Sequence, residues 1–90
     1  MTTRPLKPAD GVLAQPAHGE TVLLRLSDGA YFTLDDVSAH IWEHCDGART
    51  TEDLVEVICA TFDAPPDVVR RDVRAFLDEM VSEGLLVEAP

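Results

Sequence analysis

The spacing of hydrophobic positions along the 90-residue chain changes once, near residue 35. Before that point, runs rich in β-branched, aromatic and other apolar residues span residues 11–16, 21–27 and 30–34, and they predict three strands. After it, apolar residues recur at helical intervals and predict three helices. Strands followed by helices are typical of the α+β class. We therefore expect a three-stranded antiparallel sheet followed by three helices.

Local start signals delimit the helices. Asp35 or Asp36 offers a side-chain oxygen as the N-cap of the first helix. Thr50 and Asp53 form a weak capping box for the second, and Pro66 suits the first position of the third. The apolar stripe of the third helix consists of Val69, Val73, Phe76, Leu77 and Met80.

A tight hairpin is predicted between the second and third strands. Asp28 and Gly29 separate two β-rich runs, and this dipeptide favours a two-residue turn that pairs Ser27 with Ala30. Because a helix follows the third strand, we expect residues 30–34 to lie at an edge of the sheet. An open edge can receive an extended peptide as an additional strand.

Both faces of this hairpin carry apolar side chains. One face holds Val22, Leu24, Leu26 and Tyr31, and the other holds Phe32 with further apolar residues. A half-solvated sheet normally has one polar face, so either both faces are covered within the fold or one receives a partner. The pattern leaves open whether Tyr31 or Phe32 points into the core.

The first ten residues contain two prolines and no periodicity, and we expect residues 1–10 to form a flexible tail before one domain over residues 11–90. No apolar run approaches the ~20 residues of a membrane span, and the N-terminus lacks the apolar run of a secretory signal. We therefore expect a cytoplasmic protein that has no membrane partner.

The chain is strongly acidic. It holds 17 Asp and Glu against 7 Lys and Arg, a formal net charge of −10, and residues 35–90 carry all of that excess. Nucleic acids and anionic membranes require Lys and Arg to neutralise phosphate, so neither is expected as the main partner. A winged-helix DNA-binding protein is a disfavoured alternative for the same reason.

Residues that could support catalysis are few. His40 and His44 are four apart on a predicted helix, but no Glu follows the first His as the zinc-protease motif requires. Cys45 and Cys59 lie in predicted helices, where reduced thiols acting as small apolar residues are the expected state. We expect neither an active site nor a metal or other cofactor.

Four segments resemble a known family. They are residues 22–34 (VLLRLSDGAYFTL), Ile41 with Trp42, residues 46–50 (DGART) and residues 83–86 (EGLL). The pattern is similar to the PqqD-like family, and within it to the stand-alone leader-recognition proteins of lasso peptide biosynthesis. The resemblance covers about residues 11–88. It implies a winged-helix-like fold known as a RiPP recognition element.

The resemblance also implies a function, which is binding of the leader of a ribosomally made precursor peptide without catalysis. The leader would pair with the third strand and place side chains against the third helix. Expected partners are the leader, a cysteine leader peptidase and a cyclase. The sheet face with Val22, Leu24 and Leu26 is a candidate surface for the peptidase. In the alternative, PqqD-type branch, the protein delivers a precursor to a radical enzyme that makes a redox cofactor. Mapped onto this chain, the peptide-binding residues are Ala30, Tyr31, Phe32, Thr33, Leu34, Val69, Asp72, Val73 and Phe76, with Asp72 placed to meet a Lys of the leader.

Overall fold

The computed structural model of the protein describes residues 4–90. Its strands are β1 (Leu6–Pro8), β2 (Val12–Ala17), β3 (Glu20–Arg25), β4 (Ala30–Leu34) and β5 (Leu86–Glu88). Its helices are α1 (Asp36–Glu43), α2 (Thr51–Thr61) and α3 (Pro66–Ser82). Strands β2, β3 and β4 form an antiparallel sheet in that spatial order, and the three helices follow it in sequence. This confirms the α+β class and the three-stranded sheet followed by three helices.

The N-terminal segment differs from the expected flexible tail. Residues 1–3 lie outside the described residues, but β1 pairs antiparallel with β5 in a separate two-stranded sheet. Leu6 is buried in the core, and its carbonyl oxygen accepts a hydrogen bond from the Gly47 backbone N–H at 2.9 Å. A three-residue strand is too short to show periodicity, and its partner lies near the other end of the chain. The local sequence therefore carries no signal for it.

The turn between β3 and β4 corrects the predicted register. Arg25, not Ser27, is paired with Ala30, so the loop has four residues. The Gly29 N–H donates to the Arg25 carbonyl oxygen at 2.8 Å, and the Asp28 carboxylate accepts from the Ala30 N–H at 3.1 Å. These bonds favour the wider loop over a two-residue turn. Because the shift is two residues, each side chain stays on the face predicted for it.

The predicted helix starts are confirmed. Asp35 is the N-cap of α1 and accepts from the Ser38 N–H, while Thr50 and Asp53 form a complete capping box at α2. Pro66 is the first residue of α3. These signals are reliable because they act within a few residues. The side chains of Asp35 and Thr50 accept hydrogen bonds from backbone N–H groups at a helix start, and Pro66 has no N–H there that needs an acceptor.

The core lies between one face of the three-stranded sheet and the helices. It includes Leu23 and Leu34 from the sheet, with Ile41 and Trp42 from α1. The apolar stripe predicted for α3 is buried in this core in full. Cys45 is buried as well, and burial raises the pKa of its thiol to about 12, so it stays protonated at neutral pH.

Candidate peptide-binding site

The β4 strand has one strand neighbour, β3, among residues 4–90, and its other side is a free edge. The Leu26 N–H donates to the Gly11 carbonyl oxygen, which marks that pair as a hydrogen-bonded one in the β2–β3 ladder. Hydrogen-bonded pairs alternate along an antiparallel ladder, so Leu23 and Arg25 direct their backbone groups toward β4. The residues of β4 whose N–H and C=O groups point away from the sheet are then Tyr31 and Thr33.

The opposite edge of the sheet is less suited to an added strand. By the same alternation, the outward positions of β2 are Val12, Ala14 and Pro16. Proline has no backbone N–H, so Pro16 removes one donor from that edge. Since both outward positions of β4 keep their donors, β4 is the better of the two edges for strand addition.

The structure decides which aromatic residue of β4 faces inward. Phe32 is paired with fully buried Leu23 and packs against the core, whereas Tyr31 is 71% exposed on the other face. The alternation of a strand thus divides the predicted set, with Ala30, Phe32 and Leu34 on the core side and Tyr31 and Thr33 on the solvent side. Leu34 is buried.

One flank of α3 faces this hairpin. Arg25 Nη1 donates to the Glu83 carbonyl oxygen at 2.6 Å and to Glu83 Oε1 at 3.1 Å, which joins the end of β3 to the end of the helix. Residues 4, 7 and 11 positions before Glu83 lie on the same stripe of the helix. They are Glu79, Phe76 and Asp72, so the flank of α3 on the side of Arg25 combines acidic side chains with an aromatic ring.

The other predicted residues of α3 lie deeper than expected. Val69 is 4% exposed and Val73 is 0% exposed, so both side chains belong to the core, not to the surface of a groove. Phe76 is 8% exposed and lies at the margin of the core, while Asp72 is exposed beside Arg71, with 3.8 Å between Oδ1 and Nε. Asp72 and Phe76 thus lie on the flank of α3 near Arg25, and Val69 and Val73 are buried in the core.

The same geometry adds Arg25, which the sequence analysis did not include among the site residues. Its guanidinium also donates to both oxygens of the Asp28 carboxylate, at 3.0 and 2.8 Å. That pairing is the main cause that holds the pKa of Asp28 at about 2 and raises the pKa of Arg25. The strand position of Arg25 could have indicated this role, because a charged side chain on the core face of a strand requires partners.

Comparisons with known proteins agree with this architecture. The family model described as "Coenzyme PQQ synthesis protein D (PqqD)" matches residues 20–86. The chain belongs to the PqqD family. Among its curated relatives, the PqqA binding protein of Rhizobium meliloti (strain 1021) is 32% identical over 71 residues, which are 79% of this chain and 70% of that protein. The PqqA binding protein of Gluconobacter oxydans (strain 621H) is 29% identical, over 61% of this chain and 57% of its own length. The chain thus spans little more than half of some relatives.

Solved structures share the fold of this PqqD-family chain. One is TbiB1 in complex with the TbiA(beta) leader peptide, which is 36% identical with a TM-score of 0.79 and is aligned over 89% of this chain and 93% of TbiB1. Another is a lasso peptide synthetase B1 complexed with the leader peptide, with a TM-score of 0.83 over 92% of this chain and 98% of that one. Its 17% identity supports the shared fold alone.

The outer face of the sheet in this PqqD-family protein is apolar and accessible. Leu13 and Leu26 are exposed along with Tyr31, and Val22 and Leu24 are half-buried between them. Nothing in residues 4–90 covers these side chains fully. Use of this face by a peptidase remains a prediction.

The remaining polar candidates are held by local contacts. His44 Nδ1 is 2.8 Å from the His40 carbonyl oxygen, and His40 Nε2 is 3.3 Å from Thr61 Oγ1. Within residues 4–90, no three His, Cys, Asp or Glu side chains group as a metal site would require. Within the same residues, none of the helices has the length and apolar character to cross a membrane.

Proposed function

We propose that this PqqD-family protein is a non-enzymatic adaptor that binds the leader of a ribosomally made precursor peptide as an added strand on β4. The observation that carries the proposal is the free edge of β4, where the backbone groups of Tyr31 and Thr33 point outward. The Asp72–Phe76 flank of α3 lies on the side of the helix where Glu83 binds Arg25 of β3. Antiparallel addition would let these two residues exchange up to four hydrogen bonds with the guest strand.

Side chains of the leader that face inward would lie near Phe32 and Phe76, and Asp72 would meet a basic residue. Val69 and Val73 support this flank of α3 from within the core, and Ala30 and Leu34 hold β4 to β3. Because the contact is one short strand, it would bury an area at the low end of interface sizes. We expect a dissociation constant on the order of micromolar or below.

The lasso branch is favoured over the cofactor branch by TbiB1, a 36% identical protein that spans nearly the whole fold and whose structure contains a leader peptide. In this branch the adaptor presents the leader to a separate cysteine peptidase, and a cyclase acts afterwards. Because ribosomes make the precursor in the cytoplasm, the proposal places the adaptor there too. The relatives named PqqA binding protein support the second candidate, delivery of a precursor to a radical enzyme in redox-cofactor biosynthesis.

A titration followed by fluorescence anisotropy tests the proposal. The probes are fluorescein-labelled leader of the precursor encoded beside the gene for this chain, the TbiA(beta) leader, PqqA and a scrambled leader as control. We expect saturable one-to-one binding to a lasso-type leader and none to the scrambled peptide. Tighter binding to PqqA would favour the second candidate. Absence of saturable binding to all three peptides would contradict leader binding altogether.

A further inference from the structure

Arg25 connects three parts of the proposed site that are distant in sequence. Its guanidinium makes hydrogen bonds to Asp28 in the turn and to Glu83 at the end of α3, 58 residues away, and its Cζ lies 5.1 Å from the ring centroid of Phe32 in β4. We call these four residues the Arg25 cluster. The side chain is 22% exposed, and four of its five N–H donors are used.

The contact with Glu83 provides a hydrogen-bond donor and a positive charge at the C-terminal end of α3. The last carbonyl groups of an α-helix lack intrahelical partners, and a positive charge is stabilising at that end. The last turn of α3 contains no basic residue of its own, so Arg25 supplies the cation from the sheet. This fixes the end of α3 against the β3–β4 turn.

We infer that Arg25 is a positioning residue that sets the spacing between the free edge of β4 and the Asp72–Phe76 flank of α3. The inference rests on the proposed function, because that spacing matters only if a leader strand occupies it. Arg25 acts through Phe32 on the strand side and through Glu83 on the helix side. A planar guanidinium is required, since a lysine ammonium cannot make the bidentate contact with Asp28 and reach Glu83 as well.

The test compares Arg25→Gln and Arg25→Lys with Arg70→Gln as a matched control. Arg70 joins two elements in a similar way, through Glu52 of α2 at 3.1 Å, but on the opposite flank of α3. The probe is the labelled precursor leader that gave saturable binding in the titration above. Measurements are made at about 10 °C, where thermal unfolding of each variant shows the fraction that is folded.

We expect both Arg25 variants to raise the dissociation constant of the folded protein about tenfold, with Arg70→Gln changing it less than about twofold. A merely stabilising role would lower the unfolding temperature and leave the dissociation constant of the folded fraction unchanged. That result, or full rescue by Arg25→Lys, would overturn the inference while leaving leader binding by the native protein intact. If a variant does not fold, Asp28→Asn and Glu83→Gln replace it. Each removes one carboxylate partner of Arg25, and each should raise the dissociation constant severalfold where Arg70→Gln does not.

Discussion

Two neighbouring aromatic residues, Tyr31 and Phe32, show how much a single position in a strand decides. Both are large and apolar, yet one is mostly exposed and the other packs against the core. The difference follows from strand alternation once Leu23, opposite Phe32, is seen to be buried. Strand position also determines the contacts of a charged residue. Arg25 lies on the core side of β3 and therefore requires the carboxylates of Asp28 and Glu83 as partners.

Asp28 gives a prediction for the pH dependence of stability. Its pKa is lowered from 3.8 to about 2, first by the side-chain hydrogen bonds from Arg25 and then by the Ala30 N–H. A carboxyl group whose pKa is lower in the folded state stabilises the fold above its unfolded pKa, and that contribution is lost as pH falls through the folded pKa. We therefore expect Asp28→Asn to lower the free energy of unfolding at neutral pH.

Urea unfolding of the native protein and of Asp28→Asn, measured from about pH 7 down to about pH 2, checks this. The difference between them should be constant above about pH 5 and shrink steadily as the pH falls toward about 2. Asp46 also has a lowered pKa, mainly because the Ala48 N–H donates to it, but it is present in both proteins and cancels. A difference that does not change with pH would contradict the assigned pairing.

At the scale of elements, the β4 edge and the α3 flank together make the candidate site. The sheet has two edges, and Pro16 leaves the β2 edge with one backbone donor fewer than its length would give. At the β4 edge, the backbone N–H and C=O groups of Tyr31 and Thr33 all point outward. A proline at one of these outward positions therefore removes a donor without removing a hydrogen bond of the sheet.

Thr33→Pro removes an outward N–H of β4 while the hydrogen bonds to β3 remain. A backbone hydrogen bond contributes about 1 kcal/mol net, or about fivefold in affinity, and the proline ring also obstructs the guest strand. We expect leader affinity to fall by about tenfold or more, as measured by anisotropy. The matched control is Ala14→Pro, which removes an outward N–H from β2 and should leave leader affinity unchanged.

Circular dichroism and thermal unfolding of both proline variants show whether the sheet is intact. If Thr33→Pro folds as the native protein does and binds the leader equally well, the leader does not pair with β4. Equal losses in Thr33→Pro and Ala14→Pro, with the sheet intact in both, would mean that the β2 edge matters for binding as much as the β4 edge. Either result would contradict the assignment of the site.

At the scale of the whole molecule, charge is divided between the two halves of the chain. Residues 1–34 are neutral, with three acidic and three basic residues, and residues 35–90 carry 14 acidic against four basic residues. The helices are therefore the negative part of the protein, and α3 presents Asp72 and Glu79 on the flank that faces the proposed guest strand. Charge of this kind steers association more than it adds affinity.

A salt series tests this steering. For a leader that carries Lys, we expect the association rate constant to fall several-fold between about 20 and about 200 mM NaCl, because the Debye length shortens over that range. Stopped-flow fluorescence measures the rate. The control is the same leader with each Lys replaced by Gln, which should show a much weaker dependence. Equal salt dependence for the two peptides would mean that the acidic helices do not guide capture.

The three helices, the strands of the three-stranded sheet and the faces of its hairpin could all be predicted from short stretches of sequence. Helix starts at Asp35, Thr50 and Pro66, the hairpin and the apolar stripe of α3 all follow from signals a few residues apart, and local geometry is enough to satisfy them. A two-residue error in the turn left the faces correct because side chains alternate with a period of two. The free edge at residues 30–34 was also predictable, because a helix follows this strand directly in the sequence.

Tertiary structure decided the features that depend on distant partners. Two of these features join segments that are far apart in the chain, namely the pairing of β1 with β5 and the contact of Arg25 with Glu83. A third is the depth of side chains, since Val69 and Val73 are buried in the core. A periodic pattern shows which side of a helix is apolar, but not how much of that side another element covers. That coverage depends on how the helices and the sheet pack, and only the folded chain supplies it.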